Sequence, residues 1–224
     1  MKFTQHSFYS NDCNFPKVNS NWSEKDELLL INLAWGDRSI VGNIESQFSD
    51  YYLSTKDDNE ATSPFEKILH LPTMTNNLII GLKLVNESVY KETNKEQFVN
   101  GLESLAFHQN KEMMSWVSVG EFQVYVKKAK AKSPSLYFSN SNLASEFDSD
   151  LPPLPKDLVG TQMQADVKYQ HLSKTSGDTV VIVKSNKNLS HAIESVDKFE
   201  DASQIAKKIN KLYPDTSFWI GLLG

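Results

Sequence analysis

What the chain has little of narrows its function first. One cysteine, Cys13, in 224 residues cannot close an internal disulfide, and a reducing compartment is the simplest setting for such a sequence. No apolar run approaches the roughly 20 residues that a membrane-spanning helix requires, and Met1-Lys2-Phe3-Thr4-Gln5-His6 is too polar for a secretory signal. The expectation is a cytoplasmic protein, although secreted bacterial effectors also lack such signals. Basic residues are in deficit, 23 against 28 acidic for a formal charge of -5, so a general attraction to nucleic acid or to an anionic membrane is not expected. The five histidines, His6, His70, His108, His171 and His191, show no two-ligand spacing, and no second cysteine completes a zinc set. There is no Gly-x-Ser-x-Gly elbow and no phosphate-binding glycine loop. The acid-rich stretch from Glu146 to Asp150 lacks the alternating ligands and central glycine of a calcium loop.

What is present fits one sizeable core, and the length demands no more than a single domain over 1–224. Gly177-Asp178 is a turn pair, and the β-branched run from Thr179 to Val183 behind it predicts a strand buried on both faces. Leu28 to Leu33 predicts an interior strand, the first after the amino terminus. Ile40, Val41, Ile44, Phe48, Tyr51 and Tyr52 then share one helical stripe. Ser63-Pro64-Phe65-Glu66 has the cap residue, proline and glutamate of a helix start, and a longer helix should follow Pro72 with Leu78, Ile79, Leu82, Val85, Val89 and Tyr90 inward. Short strand-like runs follow at 105–107, 113–119, 122–126 and 136–138, and Gly120-Glu121 predicts a hairpin joining the second and third. The lysine-rich run Lys127 to Lys132 has no apolar face and reads as a solvated loop, with an anion-binding patch as the other reading. Ser139 to Pro155 is the one long irregular connection, and residues 167–171 alternate like an edge strand. A short helix over 189–193 comes next. Asp201 and Gln204 cap a further helix that ends at Pro214, and Phe218 to Leu223 closes the chain as an apolar strand. The order of strands, two helices, many strands, helix and strand predicts an α+β fold of two mainly antiparallel sheets flanked by helices, in four αββα layers.

Four places resemble the PPM/PP2C family of metal-dependent protein phosphatases. Asn11-Asp12 is one residue short of that family's Asn-Glu-Asp signature. Leu33-Ala34-Trp35-Gly36-Asp37 stands between a strand and a helix where the family has Asp-Gly-x-Gly-Gly. Trp116 to Tyr125 is similar to the family's Val-Gly-Asp-Ser-Arg-x-Tyr segment with glutamate for aspartate, and Asp215-Thr216-Ser217-Phe218 to its closing Asp-Asn-x-Thr. The strand from Thr179 opens with the family's Gly-Asp but ends in Lys184-Ser185-Asn186 instead of Ser-Asp-Gly.

The resemblance implies a metal-bridging aspartate at the position of Leu33, and a second metal carboxylate where Ser185 and Asn186 stand. Such phosphatases hold two hard divalent ions among converging anionic oxygens and activate a bridging water to attack phosphorus. Leu33 offers no ligand atom, and Ser185 and Asn186 offer neutral oxygens, which leaves Asp12, Asp37 and Asp215 as metal candidates. The expectation is therefore a catalytically inactive, pseudophosphatase-like domain with no cofactor, acting as a regulatory module that binds a protein such as a kinase or phosphoprotein. The alternative is a divergent phosphatase with a reduced manganese or magnesium site. An amino-terminal nucleophile hydrolase shares the layered arrangement and would use an early residue such as Thr4 or Cys13.

Overall fold

A computed structural model of the chain describes residues 2–10, 16–56, 63–139, 154–185, 187–196 and 198–224. The chain divides into two compact units, one formed by Pro16–Gly120 with Pro155–Ser173, the other by Met1–Phe15, Glu121–Leu154 and Lys174–Gly224. Among the described residues the strands are β1 (Phe3–Phe8), β2 (Val18–Ser23), β3 (Leu28–Gly36), β4 (Asn100–Gln109), β5 (Met113–Val119), β6 (Gln123–Lys127), β7 (Ser135–Ser139), β8 (Lys168–Ser173), β9 (Thr179–Ser185) and β10 (Phe218–Leu223). They form two five-stranded antiparallel sheets, ordered β2-β3-β4-β5-β8 and β1-β10-β9-β6-β7. The class is α+β, and each unit carries one sheet with its own helices.

In the first unit, α1 (Ile40–Thr55) and α2 (Thr73–Ser88) lie on one face of the sheet. Alternation along β3 sends Leu28, Leu30 and Ala34 into a cluster with Val41, Ile44, Phe48, Leu78, Leu82 and Val85. Leu29, Ile31 and Leu33 point to the other face and are each 0% exposed, so the strand is buried on both sides. In the second unit, α3 (Ser190–Glu194) and α4 (Ala202–Leu212) cover β9 and β10, with Ile193, Ile205 and Ile209 against Val181, Val183, Phe218 and Ile220. Asp201 caps α4 by accepting the Ser203 N–H at 2.7 Å. Among the described residues no helix is long and apolar enough to cross a membrane.

Three expectations are corrected. β5 and β6 do not form a hairpin: β5 pairs with β4 and β8, and β6 with β9 and β7. Both are buried on both faces, so neither has the alternation that would mark a partner, and Gly120 at φ +98° turns the chain from one sheet into the other. Ser63 does not start a helix. Its hydroxyl takes the Phe65 N–H as at a cap, but the Asn76 side chain then takes up the Ile68 N–H, which a helical turn would need for the Pro64 carbonyl, along with the carbonyls of Ile68 and Leu71. Finally, Leu28 is not the first strand residue after the amino terminus. β1 and β2 precede it as polar edge strands whose pairing, not their composition, makes them strands.

Candidate functional site

In the first unit the candidate residues stand at the end of β3. Leu33 lies opposite Val18 on β2 and Glu103 on β4. The Glu103 side chain is 0% exposed, and its carboxylate accepts the Trp35 indole N–H at 3.0 Å. Gly120 packs against it so closely that an added Cβ would lie 2.5 Å from Glu103 Cγ. Gly36, at φ +130°, then lets the chain turn where a Cβ would meet the Val99 carbonyl oxygen at 2.3 Å.

Asp37 follows in that turn and is exposed. Its N–H donates to Asn100 Oδ1 at 2.8 Å, and its carboxylate accepts the Ser39 N–H at 2.9 Å and the Ser39 hydroxyl at 2.7 Å. Those two bonds, the backbone one foremost, hold its pKa below the usual carboxylate value. Its carboxylate is therefore already engaged one turn ahead of α1.

The second unit places Ser185 at the end of β9, opposite Phe218 of β10. The Ser185 hydroxyl donates to the Ser217 carbonyl at 3.1 Å and accepts the Lys187 N–H at 3.2 Å. Asp215 lies two residues before Ser217, so this unit brings both candidates to the same end of the β9–β10 pair. Asp215 is exposed, and its carboxylate makes no hydrogen bond or ion pair among the described residues. It does not close a local turn onto the following amides, as an aspartate in this setting commonly does. Cys13, Asn11, the candidate Asp12 and Asn186, where the resemblance implies a metal carboxylate, lie outside the described residues.

Two charged side chains escaped the sequence reading. Glu103 sits in an apolar run, and a carboxylate between Leu102 and Leu105 was its only signal. Lys184 is 3% exposed, with its ammonium 4.0 Å from Glu121 Oε2 and 5.9 Å from the centre of the Phe122 ring. A buried lysine at a strand end looks in sequence like the onset of a solvated turn.

No family model and no curated protein matches the chain. Solved structures do. PppA, a key regulatory component of T6SS in Pseudomonas aeruginosa, aligns over 99% of this chain and 96% of its own at 15% identity and a TM-score of 0.67. The fold is that of the PPM/PP2C-type phosphatases. The Mycobacterium tuberculosis serine/threonine phosphatase PstP aligns over 99% of this chain and 97% of its own at 10% identity and a TM-score of 0.66. MsPP, a PPM Ser-Thr phosphatase from Mycobacterium smegmatis solved with cacodylate, aligns over 100% and 99% at 10% identity and a TM-score of 0.67. Likeness at such identity extends to the PP2C-like backbone and leaves the chemistry to individual residues.

Proposed function

We propose that this PP2C-like chain is a pseudophosphatase, a module that binds and regulates a protein partner without hydrolysing phosphate esters. The observation that carries the reading is Leu33. At the strand position where the family resemblance implies a metal-bridging aspartate, this chain has a leucine that is 0% exposed. The other candidate donors, each in its own unit, support the same reading. Ser185 has its hydroxyl committed on both sides to backbone groups, and Asp37 has its carboxylate committed to Ser39. A hard divalent ion needs several converging anionic oxygens, and a leucine, a neutral hydroxyl bonded to backbone groups and a carboxylate engaged by Ser39 are each poor donors for one. A kinase or phosphoprotein is the proposed class of partner. The similarity to a regulatory component supports a regulatory role over a housekeeping one.

The test is turnover of an aryl phosphate by the full chain with manganese or magnesium. No metal-dependent turnover above background is expected. Metal-dependent turnover lost in Asp215→Ala would replace this reading with a divergent phosphatase that uses a reduced site.

A further inference from the structure

The lysine-rich stretch is the tip of the β6–β7 hairpin, and it is not a loose loop. Lys127, Lys128, Lys130 and Lys132 fall within six residues of a chain whose net charge is -5. The turn they occupy is fastened to the adjoining turn, residues 174–178, by Asp178. That carboxylate is 2% exposed and accepts from the Lys128 ammonium at 2.8 Å, the Ala129 N–H at 3.0 Å and the Thr175 N–H at 2.9 Å. Burial alone would raise its pKa, but the Lys128 bond and the two backbone N–H groups outweigh it and keep Asp178 ionised. Gly177, at φ +86°, brings the second turn so near that an added Cβ would be 3.2 Å from Ala129 Cβ.

Asp178 is spent inside this clasp. Lys127, Lys130, Lys132 and Lys174 make no ion pair among the described residues, and within those residues the two clasped turns present their positive charge on a fixed frame. Directly after the turn comes β7, an uncharged strand at the edge of its sheet, with Leu136 43% and Tyr137 37% exposed. The register shift between Val124 and Tyr125 leaves Tyr137 as an extra residue in β7. Such a bulge interrupts the regular edge and discourages simple strand addition, so recognition there falls to side chains.

We infer that the β6–β7 hairpin is a docking surface for an acidic segment of a protein partner, with Lys127, Lys130 and Lys132 meeting its carboxylates and Leu136 and Tyr137 its apolar anchors. The pairing of charge with a small apolar patch is the anatomy of a protein interface. A nucleic-acid groove would need a longer basic track with several stacking rings, and an anionic membrane a larger apolar face. This inference rests on the protein-binding reading above and names the chemistry of the partner.

The experiment is fluorescence anisotropy of the full chain with a labelled glutamate-rich peptide that carries leucine and phenylalanine at intervals. Saturable binding that weakens with added sodium chloride is expected. The triple variant Lys127→Glu, Lys130→Glu, Lys132→Glu should bind about tenfold or more weakly at an unchanged melting temperature. Lys128 is kept because it holds Asp178. Leu136→Ser with Tyr137→Ser should also weaken binding, and Lys207→Glu with Lys211→Glu on α4 should not. No saturable binding, equal binding by the triple variant, or tighter binding of a single-stranded oligonucleotide or of phosphatidylserine vesicles would each overturn the inference. Aryl phosphate turnover in the same preparations would overturn the pseudophosphatase reading alone, while peptide binding would still decide the docking surface.

Discussion

Two aspartates differ in how their charge is held. Asp178 is buried and fastened by three donors, so Asp178→Asn, which turns one acceptor oxygen into a donor facing those N–H groups, should cost about 2 kcal/mol. Asp215 is exposed without such bonds, so Asp215→Asn and Asp215→Ala should each change stability by less than about 0.5 kcal/mol. Urea unfolding of the three variants checks the contrast. His108 contributes to the response to acid. It is 3% exposed, its ring centre is 5.4 Å from that of Tyr52, and its Nδ1 has no hydrogen-bond partner among the described residues. Burial first, then the nearby Lys56, lowers its pKa to about 4. The unfolded chain therefore binds a proton between the unperturbed value near 6.5 and about 4 that the folded chain refuses. Stability is full above that window and falls as pH drops through it, by about 3 kcal/mol at its lower end. Urea midpoints at pH 7, 5 and 4 should decline steeply in the unmutated protein and less steeply in His108→Gln.

At the scale of elements, legibility followed burial pattern. β3, β9 and β10 were readable because apolar runs buried on both faces have few alternative uses, and α4 because Ile205 and Ile209 repeat at helical spacing behind the Asp201 cap. β1 and β2 were not, since polar edge strands such as Val18–Ser23 owe their form to a partner strand distant in sequence. The predicted pairing of β5 with β6 failed because Gly120 can close a hairpin or break one, and only tertiary contacts decide which. Of the candidate site, the turn after β3 was legible as a departure at Leu33, whereas Glu103 was hidden because one charge in a strand does not announce burial. The connection Ser139 to Pro155 falls largely outside the described residues. Two glycines test this view of turns. Gly120→Ala meets both a positive φ and the Glu103 side chain and should cost more than about 2 kcal/mol. Gly42 lies exposed in α1 with nothing within 4 Å of an added Cβ, so Gly42→Ala should raise stability by about 0.5–1 kcal/mol. Thermal melts of both variants decide it.

For the whole molecule, the backbone is PP2C-like at 10 to 15% identity to solved structures of that fold. A fold survives such change when positions keep their hydrophobicity and volume, while an active site depends on a few exact atoms. Leu33 is where these two requirements meet, and it can be made to choose between them. Leu33→Asp places a carboxylate at a position that is 0% exposed. If the end of β3 serves only as core, the variant loses a leucine worth roughly 1.5 to 3 kcal/mol and gains an unpaired buried charge that costs about 3 to 5 kcal/mol, for a total of about 5 to 8 kcal/mol. Manganese should not restore it. Were the remaining carboxylates still arranged to share an ion, added manganese would instead raise the melting temperature of Leu33→Asp, and Asp215→Asn in the same background would abolish the rise. Melting curves of the unmutated protein, Leu33→Asp and the double variant, each with and without manganese, separate the two cases. The pseudophosphatase reading requires all three pairs to coincide, whereas a metal-dependent rise in the unmutated protein would favour a divergent metal-dependent phosphatase instead.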